Sequence, residues 1–467
     1  MASRCADLAA TGKSRSRLKR HILSSLCCLG QHTLTGQIAT AGRQAVDWTA
    51  DYRLYSWSRV DPEALWRGVR EEVINLLPAN GPLVVALDDT RLRKSSPRVA
   101  GVSYHRDPLG PPFHTNLMLA QRFIQQSLAV TNSHGAARLV PIDLTHAPVP
   151  RKPRCNAEPK QWEAYRQAQR EQTLGRVACQ RLTNLRQELN ALPATKDRLL
   201  LAAVDGGYTN RTFLRSLPEQ SAVIGRIRGD AKLYYLPEAS GGRGRRRVYG
   251  AEAPTPEELR QNADIPWERV RAHFGGEWRE LRVKTLAPLR WRATSASHDL
   301  RLVVIAPTGY QLTKCGRRLY RKPAYLICTD PTLSVTDIVQ SYLWRWDIEV
   351  NFRDEKTVLG VGQAQVRHPD SVSSVPAVAV AAYSILLTAG LKYTSRAGAV
   401  LELPPPKWQR RPPRRATVSQ LITQLRQDLW GRSILYPHFA QDKASHTKCD
   451  KFRPDLAPAL FYGAKCA

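Results

Sequence analysis

The pattern of apolar and polar positions divides the chain into helical and extended segments. Residues 1–78 carry apolar side chains at helical spacing. Asp61-Pro62 marks a helix start, because Asp caps a helix and Pro fits its first turn. The sequence therefore predicts an amphipathic helix over 62–77, ended by "PANGP", and a longer polar helix over about 160–191.

Two short apolar runs predict buried strands, and each run ends in acidic residues. "LVVALDDT" runs into Asp88 and Asp89, and "DRLLLAAVDGGY" runs into Asp205. Acids at the carboxyl ends of strands face the crevice in which open α/β sheets bind ligands, so Asp89 and Asp205 are candidates for a functional site. An Asp at a strand end is also a common turn residue, so neither motif identifies a site by itself.

Further along, residues 222–328 hold short strand-like segments separated by Gly and Pro, which predicts a β-rich insertion. A helix is expected from Ser334 to Gly360, followed by an apolar helix, a Pro- and Arg-rich linker and a last amphipathic helix. The predicted organisation is a helical N-terminal region (1–78), an α/β core in two parts (79–221 and 329–400), the insertion (222–328), and a basic linker with a helical tail (401–467).

The segment "YLWRWDIEVNFRDEK", residues 342–356, contains four acids on a predicted helix. At 100° per residue, Glu349 shares a stripe about 60° wide with Tyr342, Arg345 and Lys356, and the other three acids lie off it. A carboxylate in that position could bind a metal ion while the cations and the phenol hold phosphate oxygens. An Arg-Glu-Lys ladder on a solvated helix face would show the same pattern.

The charge of the chain favours a polyanionic partner. The 467 residues include 70 Lys and Arg against 40 Asp and Glu, a formal net charge of +30. Nucleic acid is the partner that such a balance favours, although an anionic membrane surface could also use it. No run of 18 apolar residues occurs, so no membrane span is expected. The nine cysteines show no zinc-type spacing, which is typical of reduced thiols in a cytosolic protein.

A basic loop at 225–250 interleaves arginines with tyrosines, a mixture that suits contact with a DNA backbone. A solvated charge run without a specific partner is the alternative. The arginines predicted to bind DNA are Arg226, Arg228, Arg245 and Arg246.

The motifs together resemble those of a known family. Residues 342–356 match the pattern Y-x2-R-x3-E-x6-K, which resembles the signature of bacterial insertion-sequence transposases of the DDE class. "ALDDT" resembles the first-aspartate motif of that family, in which the acid before Thr is the ligand, and "AAVDGGYTNRTFL" resembles the second. The resemblance implies that Asp89, Asp205 and Glu349 are catalytic metal ligands, with the adjacent Asp88 leaving the first acid open. It also implies that Tyr342, Arg345 and Lys356 contact DNA phosphates.

The resemblance also implies a fold and a reaction. The fold class would be α/β, with an RNase H-like mixed-sheet core and a β-rich insertion domain between helical terminal regions. Two Mg²⁺ ions, replaceable by Mn²⁺, would support hydrolysis at the element ends and transfer of the 3′-OH to target DNA. In relatives an aromatic residue of the insertion stacks on a flipped base. Tyr325 stands at a position where a Trp can occur in those relatives. The alternative is that Tyr325 is a core aromatic.

The implied partners are double-stranded DNA, as terminal inverted repeats and as target, and a second copy of the chain in a synaptic dimer. The implied location is the bacterial cytoplasm, associated with the nucleoid. Two alternatives remain open: a catalytically silent DNA-binding protein such as a repressor, and an RNase H-like nuclease without strand transfer. The presence of all three acids favours an enzyme over the repressor.

Overall fold

The computed structural model describes residues 11–107, 110, 113, 116–132, 135–238, 246–294, 298–313, 316–395 and 415–439. The helices are α1 Gly12–Cys27, α2 Leu34–Thr40, α3 Thr49–Ser56, α4 Pro62–Ile74, α5 Pro159–Glu171, α6 Leu174–Asn190, α7 Arg211–Leu214, α8 Pro256–Gln261, α9 Val335–Trp344, α10 Asp347–Thr357, α11 Pro369–Thr394 and α12 Val418–Phe439. The strands are β1 Leu83–Arg93, β2 Ser103–Arg106, β3 Leu117–Thr131, β4 Ala137–His146, β5 Leu200–Val204, β6 Ser221–Arg226, β7 Tyr234–Tyr235, β8 Glu268–Phe274, β9 Glu277–Arg290, β10 Leu300–Ile305, β11 Gly309–Tyr310, β12 Leu319–Tyr320 and β13 Ala324–Cys328.

One mixed sheet organises the chain. Strand β3 pairs antiparallel with both β4 and β1, while β1 pairs parallel with β5 and β5 pairs parallel with β6. The connection from β1 to β5 carries the antiparallel strands and then α5 and α6, as a parallel pairing requires a crossover. The order β4-β3-β1-β5-β6 is that of an RNase H-like core, so the predicted fold class is confirmed.

Strands form in the segment 222–328, as predicted, and extend the core sheet, except at Arg292–Thr294, where a short 3₁₀ helix replaces a predicted strand. Strand β13 pairs antiparallel with the core strand β6, β10 with β13, and β9 with β10. Strand β6 starts at Ser221 and is itself the fifth strand of the core. The division of the chain into separate domains stays a prediction, but a continuous hydrogen-bonded sheet joins the insertion to the core.

Apolar side chains cover both faces of the sheet. Val85 and Leu87 of β1 point into a large core with the N-terminal helices, α6 and α11. Val84 and Ala86 point to the other face, where they pack with Ile338 of α9 and with α10. This alternation follows from the period of two in a strand.

Helix α11 is the one helix among the described residues that is long and apolar enough to cross a membrane. In its most apolar window 83% of the residues are buried inside the protein. Helices α1, α3 and α4 pack around it. A helix that is apolar on all sides and surrounded by other helices is a core helix, and α11 fits that description.

Two helix predictions needed correction. The helix predicted for 160–191 is divided after Glu171, because the Thr173 side chain accepts a hydrogen bond from the Arg176 backbone N–H and starts a new helix. The helix predicted from Ser334 to Gly360 is divided into α9 and α10 by a turn at Arg345 and Trp346. The predicted cap at Asp61 does form, since its side chain accepts from the Glu63 backbone N–H.

Candidate active site

The register of two parallel strands brings two acids together. Leu87 of β1 is paired with Val204 of β5, so the next residue of each strand, Asp88 and Asp205, continues the same register. The Asp205 carboxylate is positioned by its own loop, where Oδ1 accepts from the Gly207 backbone N–H at 2.8 Å. Burial and the nearby Asp205 carboxylate raise the pKa of Asp88 to about 7. The carboxylates of Asp88 and Asp205 form the centre of the candidate site.

The adjacent acids of β1 point to opposite faces of the sheet. Asp88 lies opposite Gln125 of β3, on the face covered by α9 and α10, whereas Asp89 lies opposite the core residue Ile124. Asp89 accepts a hydrogen bond from the buried Tyr208 hydroxyl at 3.3 Å, and burial raises its pKa. Asp88 is therefore the acid that shares a face with the helix that carries Glu349.

The turn between α9 and α10 tightens the chain at the signature motif. The Ile348 N–H donates to the Arg345 carbonyl at 3.0 Å, and the Glu349 N–H donates to the Trp346 carbonyl at 3.1 Å. These bonds span three residues rather than four, as in a 3₁₀ turn. The prediction of one continuous helix is wrong at this point. The turn nevertheless leaves Arg345 beside Glu349.

Arg345 connects the acids of the strand and of the helix. Its Nη1 lies 3.2 Å from Asp88 Oδ2 and 3.8 Å from Glu349 Oε1. The Arg345 side chain is only 11% exposed, whereas that of Glu349 is 43% exposed. A buried guanidinium between two acids is unlike the solvated charge ladder considered from the sequence, so that alternative does not describe Arg345.

The two other residues of the stripe lie on either side of this pair. The Tyr342 ring is 5.7 Å from the Arg345 guanidinium, and the charges of Arg226 and Asp205 act on its hydroxyl. Lys356 is exposed, and the charges of Glu349 and of the β1 acid Asp89 act on its ammonium group. Tyr342 thus packs beside the buried Arg345, whereas Lys356 carries its charge at the surface next to Glu349.

The three remaining acids of the segment hold α10 in place. Asp347 pairs with Arg415 at 2.5 Å and accepts from the Leu139 backbone N–H at 3.0 Å. Asp354 pairs with the neighbouring Arg353. Glu355 is buried and accepts a hydrogen bond from Gln125 at 2.9 Å. Of the four acids, Glu349 is the one directed toward Asp88.

Burial of Glu355 predicts that the stability of the protein depends on pH. Burial raises the pKa of Glu355 to about 8, so the folded protein holds a proton there that the unfolded chain releases at lower pH. Stability should be full near pH 5 and fall as the pH rises to about 8. Replacing Glu355 with Gln should therefore raise the free energy of unfolding at pH 9 by about 1–3 kcal/mol, with little change at pH 5.

Urea titrations at pH 5, 7 and 9 would measure this difference. The matched control is Glu219→Gln, because Glu219 is exposed and should leave the pH profile unchanged. Equal pH profiles for the wild type and Glu355→Gln would show that Glu355 is ionised in the folded protein.

The arginines predicted to bind DNA lie in different environments. Arg226 is exposed at the end of β6, near Tyr342 of the site. Arg228 is exposed and makes a forked ion pair with Asp230. Arg246 is exposed, and Arg245 lies outside the described residues. DNA contact by these residues stays a prediction.

Tyr325 has the environment of a packing residue. Its hydroxyl donates to the Glu257 carboxylate, and its ring lies against Gly229. These contacts agree with the core-aromatic alternative considered from the sequence. The base-stacking role stays a prediction that the contacts do not favour.

Sequence reasoning did not single out three residues that surround Asp89. Tyr208 donates to it, and Arg91 and Arg122 lie close enough for their charges to act on it. The sequence could have indicated Arg91, since it follows Asp89 by two positions in a strand and so shares its face. No sequence pattern indicates Arg122, because only the pairing of β1 with β3 brings it close to Asp89.

The residues present suit a divalent metal ion in part. Asp88 and Asp205 offer the hard carboxylate oxygens that Mg²⁺ and Mn²⁺ prefer, and a cation would relieve the repulsion that raises the pKa of Asp88. Within the described ranges, no group of three His, Cys, Asp or Glu side chains could hold a metal ion as it stands. Glu349 would complete the set only after exchanging its contact with Arg345.

These features define a mixed α/β protein of RNase H-like topology, with two acids side by side at the end of the parallel pairing of β1 with β5. Residues 10–297, more than half of the chain, match the model of the DDE superfamily endonucleases, and the chain belongs to this family. The match includes both aspartate motifs and ends before Glu349. Membership supports a nuclease or transposase type of function with DNA as substrate, in a family that generally uses divalent metal ions. No curated protein matches the chain.

Proposed function

We propose that the protein is the DNA transposase of an insertion sequence. It cuts the element ends by metal-dependent hydrolysis of a phosphodiester, and it joins the resulting 3′-OH to target DNA by transesterification. The observation that carries this proposal is the pair Asp88 and Asp205 on the sheet face next to the helix that presents Glu349. The match of that helix to the transposase signature favours strand transfer over simple cleavage.

In this proposal three carboxylates hold the metal ions. They are Asp88, Asp205 and Glu349, with Asp89 as the alternative to Asp88 that the sequence motif suggests. When two Mg²⁺ or Mn²⁺ ions are bound, they supply activation of the attacking oxygen and stabilisation of the leaving 3′ oxygen. A protein side chain is then not needed as nucleophile.

The basic residues of the motif position the DNA. Arg345 is held between Asp88 and Glu349, the acids that would hold the metal ions, and its guanidinium would bind a phosphate of the DNA there. Tyr342 lies beside it and Lys356 is a neighbour of Glu349, and in this proposal they offer one phenol and one ammonium group to neighbouring phosphates. Arg226, Arg228 and Arg246 would extend this contact along the duplex.

The wider DNA contact is assigned to the terminal regions. Residues 11–60 carry eight Lys and Arg against two Asp, which suits recognition of terminal inverted repeats by the N-terminal helices.

Two ends would be held by two copies of the chain in a synaptic dimer that then captures target DNA. Such an enzyme works at the nucleoid in the bacterial cytoplasm.

Lys356 provides a test of DNA contact that does not depend on cleavage. Lys356→Ala should weaken binding to the element ends and reduce the slope of log affinity against log salt by about 0.9, which corresponds to one phosphate contact. Fluorescence anisotropy across a salt series would measure the slope. An unchanged slope would assign Lys356 to a solvated helix face, where its ammonium group lies 5.9 Å from the centre of the Phe352 ring.

A cleavage and strand-transfer assay tests the proposal as a whole. Purified protein, Mg²⁺ and labelled DNA that carries both flanks of its own gene would be incubated, with Asp205→Asn as the matched variant. Mg²⁺-dependent nicking at the element ends and joining to a second DNA, both absent in the variant, are the expected results. Cutting without joining would indicate a nuclease, and specific binding without cutting in Mg²⁺ or Mn²⁺ would indicate a repressor.

A further inference from the structure

Two arginines of like charge face each other in the middle of the sheet. Arg91 of β1 and Arg122 of β3 are direct cross-strand partners, so their side chains leave the same face side by side. Both are half-buried. Like charges directly opposite each other destabilise a strand pair, and partial burial increases that cost because water screens the charges less. Such a pair needs a compensating anion.

The protein supplies one carboxylate for this pair. Asp89 Oδ2 lies 3.7 Å from Arg91 Nη2, and the Asp89 charge also acts on Arg122. Further positive charge lies nearby, because Lys356 is an electrostatic neighbour of Arg91. Two guanidinium groups that share the one Asp89 carboxylate leave the pair with an excess of about one positive charge.

Hydrogen bonds hold the site of Arg91 and Arg122 in place, and one N–H donor of the pair has no acceptor among the described residues. Arg122 Nε donates to the Ala147 carbonyl at 3.1 Å, and the Tyr208 hydroxyl donates to Asp89 at 3.3 Å. Arg91 Nε, in contrast, is buried and has no acceptor among the described residues. A buried guanidinium donor without an acceptor is costly, which indicates that an oxygen ligand completes it.

We propose that Arg91 and Arg122, oriented by Asp89, bind one backbone phosphate of the DNA strand next to the site of cleavage. The proposal rests on the proposed function in taking DNA as the substrate. Lys356 is a neighbour of both Glu349 and Arg91, so it links this phosphate site to the acids on the other face of β1. Asp89 is then a positioning residue for the two guanidinium groups.

Binding measurements without divalent metal ions test the site apart from the chemistry. Labelled duplex with the flanks of the gene would be titrated with the full-length variants Arg91→Gln and Arg122→Gln. Each should bind about tenfold more weakly, with a salt slope reduced by about 0.9. The double variant should lose little more than either single variant, because both groups hold the same phosphate.

Arg93→Gln is the matched control. Arg93 lies on the same strand, but its side chain is 72% exposed and pairs with Asp107. This variant should bind DNA within about twofold of the wild type, as surface ion pairs contribute little. Arg91→Lys keeps the charge and should recover most of the salt slope but not the full affinity, because Lys lacks the planar fork of donors.

A duplex with one neutral methylphosphonate at a time would locate the contact. At one position the substitution should weaken wild-type binding about tenfold and should not weaken Arg91→Gln further. A salt slope in Arg91→Gln equal to that of the wild type, or equal sensitivity of both proteins at every position, would overturn the inference. Unchanged circular dichroism and thermal midpoints would show that each variant is folded.

The two proposals can fail separately. If the wild type nicks DNA in Mg²⁺ while Arg91→Gln binds normally, the phosphate site is wrong and the enzyme assignment stands. If the wild type does not cut but its DNA binding depends on Arg91 and on one phosphate, the phosphate site stands and the enzyme assignment is wrong.

Discussion

Asp88→Asn is expected to abolish DNA cleavage, with a loss in rate of about a thousandfold or more. The amide keeps the size of the side chain and removes the charge that a metal ion needs, and a loss of several kcal/mol of transition-state stabilisation has this effect. Asp89→Asn should lower the rate by only about tenfold, because its effect passes through the orientation of Arg91. Single-turnover cleavage of the end duplex in Mg²⁺ would measure both rates.

This comparison decides between the strand register and the sequence motif. The motif favours Asp89, which stands before Thr90, whereas the register puts Asp88 beside Asp205. Abolished cleavage in Asp89→Asn together with a nearly normal rate in Asp88→Asn would restore Asp89 as the ligand. Unchanged circular dichroism and thermal midpoints of each variant serve as the control for folding.

Glu349→Gln is expected to have an effect of similar size on cleavage and little effect on DNA binding. The substitution removes a carboxylate from the metal site and leaves the bulk of the side chain on α10. Cleavage should fall by about a thousandfold. The affinity for the end duplex, measured without metal ions, should stay within about twofold of the wild type.

The same helix offers a matched control for this variant. Glu355→Gln is the same chemical change six positions later, at a side chain that is buried against Gln125 rather than directed toward Asp88. It should retain cleavage close to the wild-type rate. Equal rates for Glu349→Gln and the wild type would remove Glu349 from the metal site and leave the signature motif with a structural role.

The ion pairs of Arg345 have a consequence for the free protein. The guanidinium contacts Asp88 and Glu349 at once, and so reduces the repulsion between these two acids. Breaking a buried pair by removing one partner is more costly than the pair itself is stabilising. Arg345 therefore stabilises the acids in the free protein, and the proposal assigns it to a phosphate in the complex.

Local patterns in the sequence determined much of the fold and of the site. The apolar runs of β1 and β5 with their terminal acids, the cap at Asp61 and the stripe of Tyr342, Arg345 and Glu349 all depend on residues close together in the chain. Strand alternation, capping and helix spacing are local physical rules, so they can be read without the structure. The RNase H-like class came from the resemblance that these motifs carry, and the sheet confirms it.

Only the tertiary structure decided which side chains meet. The pairing of β1 with β5 and β3 put Asp88 beside Asp205, turned Asp89 to the other face and set Arg91 against Arg122. The same kind of pairing joined the strands of the insertion to the core sheet. Register is set by hydrogen bonds and packing between segments far apart in the chain, and a shift of one residue exchanges the faces, so no local pattern contains it.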